Sequence, residues 1–322
     1  MTETANGSAG VVRKGRYLGA EITGVDLSQP LDDADYATIH RAFLEHEVLI
    51  LRDQDIEPAQ FMAFGRRFGE LTVHPFSPNM AGAPELIILD NHADNPPKLT
   101  DIWHSDETFR ETPPKATILR STIAPALGGD TMFVSMTAAY DGLGDATQQL
   151  ISGLEGIFDF KPFRTLFGNE AEDHRRLREL EEQYPLRRHP IVRVHPESGR
   201  KGIFVNRQFT IGIDGMKDTE SGPLLAMLFD QANRPEYQYR LSWRPHTMVV
   251  WDNRAVQHYA IHDYFPQRRR MERVTIKGDV PFGINGGYDG PVIGRAAINL
   301  GEQDAVPDTG KEPVRQSRRT WP

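Results

Sequence analysis

The stretch HTMVVWDNRAVQHYA, residues 246–260, joins a strongly apolar segment to a polar turn and then to a histidine. The run Met248–Trp251 is consecutive and apolar, which is typical of a strand buried on both faces. A buried strand followed by a short polar turn would hold the side chain of His258 rigidly. This stretch therefore predicts a buried strand and makes His258 a candidate metal ligand, with His262 as the competing choice.

Strand and helix signals are scattered over the whole chain. Short stretches rich in β-branched residues and bounded by Gly, Pro, Asn or Asp predict strands over 85–90, 115–122, 130–135, 189–196, 201–206, 246–253 and 270–279. Apolar residues at helical spacing predict helices over 31–47, 56–69, 173–184 and 219–234. No regular βαβ alternation results. The pattern favours a mainly β fold with inserted helices, an antiparallel double sheet of the jelly-roll type.

Composition narrows the function classes for this chain of 322 residues. The net charge of −8 and the pI of about 5.8 argue against a nucleic-acid-binding protein. No apolar run approaches the roughly 20 residues that a membrane helix requires. The start lacks a segment of signal-peptide type, and there is no cysteine. We expect a cytoplasmic protein without a nucleic-acid or membrane partner.

The domain organisation is simple. We expect a flexible tail over residues 1–14, one domain over 15–282, and an irregular extension rich in Gly and Pro over 283–322. The sequence shows no internal repeat and no linker in the middle. Homo-oligomerisation is possible, but no surface patch in the sequence indicates it.

A second histidine stands in the stretch DIWHSDETF, residues 101–109. In an extended segment His104 and Asp106 point the same way, since residues two apart share a face. An imidazole and a carboxylate suit a divalent transition metal, and two His with one carboxylate is the arrangement of non-haem Fe(II) oxygenases. A His-x-Asp pair alone is weak evidence, because the third ligand must come from a separate strand such as the one before His258.

Two arginines follow His258 on one predicted strand face. Arg269 and Arg273 are four residues apart, so both guanidinium groups can enter the same cavity. Like charges enclosed side by side repel, and they are tolerated when anions are bound. Arg268 and Arg270 should point the other way, towards the surface. The spacing predicts a site for two anions near the metal.

Three segments together resemble the taurine dioxygenase family of Fe(II)/2-oxoglutarate-dependent oxygenases. They are WHSDETFRETPPKATIL (103–119), GGDTMFVSMTAAYDGL (128–143) and WDNRAVQHYAIHDYFPQRRRMERVTIKGDVP (251–281). The similarity covers about residues 15 to 282 and implies a double-stranded β-helix, a cupin-like jelly roll. It also implies iron held by His104, Asp106 and His258, 2-oxoglutarate held by Thr131 and Arg269, and substrate held by His74, Arg273 and Phe209.

The resemblance also implies the chemistry. Oxygen and 2-oxoglutarate are consumed, succinate and CO2 are released, and a carbon of a small anionic substrate is hydroxylated. A carbon that carries a sulfonate or sulfate would then release sulfite or sulfate. Ser77 and Thr100 stand where taurine-specific members have tyrosine and asparagine, so taurine itself is not favoured.

Three alternatives stay open. An aryloxyalkanoate or other carboxylic acid is the second choice of substrate. A zinc-binding jelly-roll hydrolase and a non-catalytic binding module are more remote. The paired Arg269 and Arg273 argue against the zinc hydrolase, because such an enzyme has no need for a second anion clamp beside the metal.

Overall fold

The structure, a computed structural model, describes residues 8–75, 77 and 79–286. The strands within these ranges are β1 (Gly10–Arg13), β2 (Ala20–Thr23), β3 (Val48–Leu51), β4 (Leu71–Thr72), β5 (Asn79–Met80), β6 (Ala83–Asn91), β7 (Ala116–Ile123), β8 (Thr131–Ser135), β9 (Glu155–Phe158), β10 (Arg187–Pro190), β11 (Val192–Val194), β12 (Lys201–Ile203), β13 (Thr210–Ile213), β14 (Gln238–Leu241), β15 (Met248–Asp252), β16 (Val256–Ala260) and β17 (Arg269–Ile276). The α-helices are α1 (Asp33–His46), α2 (Pro58–Phe68), α3 (Met136–Asp141), α4 (Asp145–Ile151), α5 (Ala171–Gln183) and α6 (Asp218–Asp230). Short 3-10 helices cover Lys161–Leu166, Gln231–Asn233 and Pro235–Tyr237.

A large sheet forms the centre of the molecule, with strand order β1-β2-β3-β15-β7-β17-β6-β5 and β4 added beside β17. Every pair in it is antiparallel except β2 with β3. Strand β15, predicted from its apolar run, lies between β3 and β7 and is buried along its whole length. This strand has a continuous apolar run because both of its faces are covered.

A smaller antiparallel sheet of order β14-β8-β16 packs against the large one. One buried cluster joins the two, with Val249 and Trp251 from β15, Phe133 from β8 and Val256 from β16. The cavity described below opens between the same two sheets, since its walls include residues of β6, β7, β8, β16 and β17. This double sheet is the mainly β architecture with inserted helices that the sequence predicts.

Helices α1 and α2 cover the other face of the large sheet. Their buried residues Ile39, Phe43, Phe61 and Phe68 share a cluster with the sheet. Gly65 lets α2 approach closely, because a Cβ there would stand 3.1 Å from side-chain carbons of Leu71 and Val274. Asp32 caps the start of α1, because its carboxylate accepts the N–H of Asp35. Both helices therefore support the sheet from the side away from the small sheet.

Two predicted elements need correction. Residues 10–13 of the predicted flexible tail form β1, which pairs with β2; residues 1–7 lie outside the described ranges. The single strand predicted over 189–196 is two strands in different sheets, β10 with β9 and β11 with β12. Pro190 lacks the N–H that a continuous ladder would need, and the N–H of Ile191 goes to Leu154 instead.

The other predicted elements lie close to their observed positions. The four predicted helices correspond to α1, α2, α5 and α6, the last of which ends at Asp230. The predicted extension begins with residues 283–286, and 287–322 lie outside the described ranges. Among the described helices, none is both long and apolar enough to cross a membrane.

Candidate metal centre and active site

His104, Asp106 and His258 converge on one point. One ligand atom from each lies within 4.8 Å of the others, and all three residues are buried. The Nε2 atoms of both histidines are 3.8 Å from Oδ1 of Asp106. His104 and His258 face each other as an isolated antiparallel bridge, with both backbone hydrogen bonds formed. The expected meeting of the His-x-Asp pair with the distant histidine is thus observed.

Hydrogen bonds orient two of these groups. Nδ1 of His104 lies 2.7 Å from the carbonyl of Ile102, to which it donates, and this leaves the Nε2 lone pair for a metal. The hydroxyl of Thr117 donates to Oδ2 of Asp106 at 2.6 Å, so Oδ1 faces the imidazoles. Outer partners of this kind fix the orientation of metal ligands.

The protonation states also suit a metal. Burial lowers the pKa of His104, and burial together with the neighbouring His104 lowers the pKa of His258 to about 3. Burial would raise the pKa of Asp106, but Arg273 and both imidazoles outweigh it, so the pKa lies below its usual value. Two neutral imidazoles and a carboxylate at neutral pH are the donor forms that a divalent transition metal requires, so the residues fit Fe(II).

Arg269 and Arg273 both line the cavity on which the His-Asp-His group opens. Arg269 is 6 % exposed, its Nε has no hydrogen-bond partner, and its guanidinium stacks near the rings of Trp243 and Tyr264. Burial lowers its pKa. Arg273 reaches Oδ1 of Asp106 at 2.8 Å. Alternation along β17 thus places both cations inside, as their spacing predicts.

The arginines next to them behave differently. Arg268 is exposed and pairs with Asp90 at 2.6 Å, in agreement with the predicted surface position. Arg270 is half-buried rather than fully exposed. It lies opposite Ile123 where the ladder between β17 and β7 shifts by a bulge, and this irregularity explains the difference.

The cavity has a volume of about 280 Å³, the scale of a small-molecule site. The other residues that the sequence suggests for cosubstrate and substrate line it as well: Thr131, His74, Phe209, Ser77 and Thr100. The competing His262 also lines it, but its Nε2 lies 2.9 Å from Oγ1 of Thr100 and it is not part of the His-Asp-His group.

The family model described as "Taurine catabolism dioxygenase TauD, TfdA family" matches residues 11–275. The chain belongs to this family. An alpha-ketoglutarate-dependent sulfate ester dioxygenase of Pseudomonas putida is 36% identical over 275 residues, which are 84% of this chain and 89% of that protein. An (S)-phenoxypropionate/alpha-ketoglutarate-dioxygenase of Sphingobium herbicidovorans is 31% identical over 269 residues, 81% of this chain and 92% of that protein.

A solved structure also supports membership of this family. The crystal structure of a putative alpha-ketoglutarate-dependent taurine dioxygenase from Burkholderia xenovorans superposes with a TM-score of 0.75 at 35% identity, covering 87% of this chain and 93% of the other. The predicted cupin-like jelly roll is confirmed. The predicted enzyme class is confirmed too: this TauD/TfdA family member is an Fe(II)- and 2-oxoglutarate-dependent dioxygenase that uses O2.

Several residues of this TauD/TfdA site were not predicted. Trp243 donates its indole N–H to Oγ1 of Thr131 at 2.9 Å. Glu107 is 2 % exposed, lines the cavity and lies 2.6 Å from Nε of Arg110 and 3.8 Å from Nε2 of His74. Its φ of 50° is in the left-handed region, a conformation that is strained for a non-glycine residue and is enriched at functional sites. Only the position of Glu107 beside Asp106 could have indicated it from sequence.

Proposed function

We propose that this dioxygenase hydroxylates a small organosulfonate or alkyl sulfate ester at the carbon that carries the sulfonate or sulfate group. The products are sulfite or sulfate with an aldehyde, succinate and CO2. One observation carries the proposal: two guanidinium groups, that of the buried Arg269 and that of the partly buried Arg273, enter the cavity onto which the His-Asp-His group opens. A site that encloses two cations takes two anions, the cosubstrate and the substrate.

His104, Asp106 and His258 hold the iron in this proposal. Bound there, Fe(II) supplies oxygen activation coupled to the decarboxylation of 2-oxoglutarate. The protein holds the donors in their metal-binding forms, because the pKa values of His104, Asp106 and His258 are all lowered. It also surrounds the site with apolar walls, among them Phe209 and Trp251, which exclude water.

Thr131 and Arg269 hold the distal carboxylate of 2-oxoglutarate. The Nε and planar fork of Arg269 suit a carboxylate, and Nε has no other hydrogen-bond partner. Thr131 accepts a hydrogen bond from Trp243, so its hydroxyl hydrogen is free to be donated to the same carboxylate. The indole thereby fixes the direction of the hydroxyl. The keto-acid end of the cosubstrate would bind at the metal group.

Arg273, His74 and Phe209 hold the substrate. Because Arg273 lies 2.8 Å from Asp106, an anion that it binds is kept beside the metal group. Phe209 packs edge-on against the ring of His104, with ring centroids 6.4 Å apart, and forms an apolar wall for the carbon chain. Burial lowers the pKa of His74, so we assign it a neutral imidazole that donates a hydrogen bond to the substrate anion.

The sulfur-containing substrates rank above carboxylic acids because the P. putida relative is the more similar of the two named above. An aryloxyalkanoate acid is the second candidate, supported by the S. herbicidovorans relative and by the largely apolar lining of the cavity. Ser77 and Thr100 both line the cavity, and neither offers an aromatic or amide group for an ammonium end, so taurine ranks lower.

The test is succinate formation with Fe(II), O2 and 2-oxoglutarate over a panel of alkyl sulfates, alkanesulfonates, taurine and aryloxyalkanoates. We expect the highest kcat/KM with an alkyl sulfate or alkanesulfonate, and sulfate or sulfite release equal to the succinate formed. Higher kcat/KM with aryloxy acids would establish the second candidate. If no acid raises succinate formation above the uncoupled background, the proposed substrate class is wrong.

A further inference from the structure

The side-chain amide of Asn253 holds the backbone of Asp106 at both its N–H and its C=O. Oδ1 of Asn253 accepts the N–H of Asp106 at 2.6 Å, and Nδ2 donates to the carbonyl of Asp106 at 2.9 Å. Nδ2 also donates to the carbonyl of Pro114 at 2.9 Å. The residue is completely buried. A single side chain therefore satisfies three buried backbone groups, two of which belong to a residue of the His-Asp-His group.

This amide replaces a missing pair of strand hydrogen bonds. His104 and His258 exchange both of their backbone hydrogen bonds, at 3.2 and 2.8 Å. In a regular antiparallel ladder, the next such exchange would join Asp106 to Val256. The carbonyl of Val256 instead accepts the hydroxyl of Ser105 at 2.8 Å. A carboxamide has the same donor and acceptor as a peptide unit, so Asn253 completes the pairing where the two segments diverge.

The same residue connects Asp106 to the segment that leads into strand β7. The backbone N–H of Asn253 donates to the carbonyl of Lys115 at 3.0 Å, next to the bond to Pro114. Thr117, the second residue of β7, donates to the carboxylate of Asp106. The main chain and the carboxylate of Asp106 are thus both fixed from β7 and the two residues that precede it. Asn253 also lies in the turn that leads into β16, the strand of His258.

We propose that Asn253 is a positioning residue that sets the metal affinity of the site by fixing Asp106 relative to the two imidazoles. The proposal rests on the function proposed above, in which His104, Asp106 and His258 are the ligands. Loss of the amide leaves buried backbone groups of Asp106 unpaired and allows its carboxylate to move. Loss of an outer-shell partner typically weakens metal binding by about 10- to 100-fold, and we expect that range here.

The experiment measures Co(II) binding to the whole protein by calorimetry and by the visible absorption of the bound ion. Gln54 supplies a matched control, because its buried amide also bonds three backbone groups: it accepts from Leu27 at 2.9 Å and donates to Val25 and Arg52 at 3.0 and 2.8 Å. We expect N253A to raise the Kd for Co(II) by about 10- to 100-fold and to change the visible spectrum. Q54A should lower the Tm and leave both the Kd and the spectrum unchanged.

N253S and the isosteric N253D are measured beside N253A, in whichever variants keep the circular dichroism spectrum of the wild type. A folded variant with the wild-type Kd and spectrum would overturn the inference while leaving the proposed metal site intact. If none of the three folds, Asn253 serves the fold as a whole and the inference is also wrong. If the wild type binds no Co(II), or if H258A binds Co(II) as tightly as the wild type, the proposed set of metal ligands is wrong. The role of Asn253 is then not the cause of the failure.

Discussion

Arg269 occupies a buried position that a bound anion would make favourable. Burial of a guanidinium costs free energy unless the charge is paired, and Arg269 has no carboxylate partner within the part of the chain that the structure describes. Trp243 and Tyr264 lie near its guanidinium and compensate only part of that cost. Such an arrangement lowers stability in exchange for binding, which is typical of a functional site.

Arg273 gives the sharpest prediction at the scale of one residue. We expect R273A to reduce kcat/KM for an anionic substrate by about 30- to 1000-fold, because a buried charge-assisted interaction contributes about 2–4 kcal/mol. The KM for 2-oxoglutarate should change little, since Arg269 remains. R268A is the control, because Arg268 pairs with Asp90 at the surface and should keep wild-type kinetics. A wild-type kcat/KM for R273A would remove Arg273 from the substrate site.

At the scale of elements, the turn between β15 and β16 is held by a buried ion cluster as well as by Asn253. Asp252 accepts two hydrogen bonds from the guanidinium of Arg254, at 2.8 and 2.7 Å, and one from Nε2 of His195 at 2.9 Å. Burial would raise the pKa of Asp252, but Arg254 and His195 outweigh it and lower the pKa. The cluster connects the end of β15 to the segment after β11, and so fixes the base of β16.

Asp252→Asn should therefore lower the free energy of unfolding by about 3–5 kcal/mol, since it leaves the buried Arg254 without its full counter-charge. Urea denaturation measures this directly. D94N is the matched control: Asp94 is exposed and lies 3.9 Å from His92, a pair of little energetic value. A loss below 1 kcal/mol in D252N would show that the cluster does not stabilise the turn.

Elements with a strong local pattern were predictable, and those set by tertiary pairing were not. Strand β15 was evident from its apolar run, and β17 from the β-branched residues and arginines that alternate along it. Strand β16 was not predicted as a strand, because its sequence VQHYA is short and its ladder to β8 forms only in the folded molecule. The same holds for β1, whose exposed Val11 and Val12 look like tail residues until β2 pairs with them.

The candidate site shows the same division. His104 and Asp106 follow from their spacing, and Arg269 and Arg273 from theirs. Spacing could not identify His258 as the third metal ligand, because His258 meets His104 only through a long-range backbone bridge. Asn253 lay within the very stretch that indicated the buried strand. Its role was invisible because an asparagine in a turn is explained equally well by turn geometry.

At the scale of the whole molecule, buried histidines make stability depend on pH. Burial lowers the pKa of His189 to about 4, and its Nε2 donates to the carbonyl of Arg110 at 2.9 Å. The unfolded chain, with an ordinary histidine pKa near 6.5, binds more protons than the folded chain between pH 6.5 and 4. The free energy of unfolding therefore falls as the pH falls through that window, by at most about 1.4 kcal/mol per pH unit for this one group.

His189→Gln should reduce the slope of the free energy of unfolding against pH, between pH 6 and 4.5, by the contribution of about one proton. The reason is that glutamine keeps a hydrogen-bond donor but does not titrate. Urea denaturation at several pH values gives the slope, measured on protein without metal. His174, which is exposed on α5, supplies the control variant H174Q. An unchanged slope in H189Q would mean that His189 is not held neutral in the folded state.

The proposed activity requires that His104, Asp106 and His258 hold iron in a cavity that 2-oxoglutarate can reach. The most direct measurement is anaerobic absorption spectroscopy of the protein with Fe(II) as 2-oxoglutarate is added. We predict a weak visible charge-transfer band that saturates at one cosubstrate per chain, disappears in H258A and needs a higher concentration of 2-oxoglutarate in R269A. Intact protein with bound iron that develops no band would contradict the account.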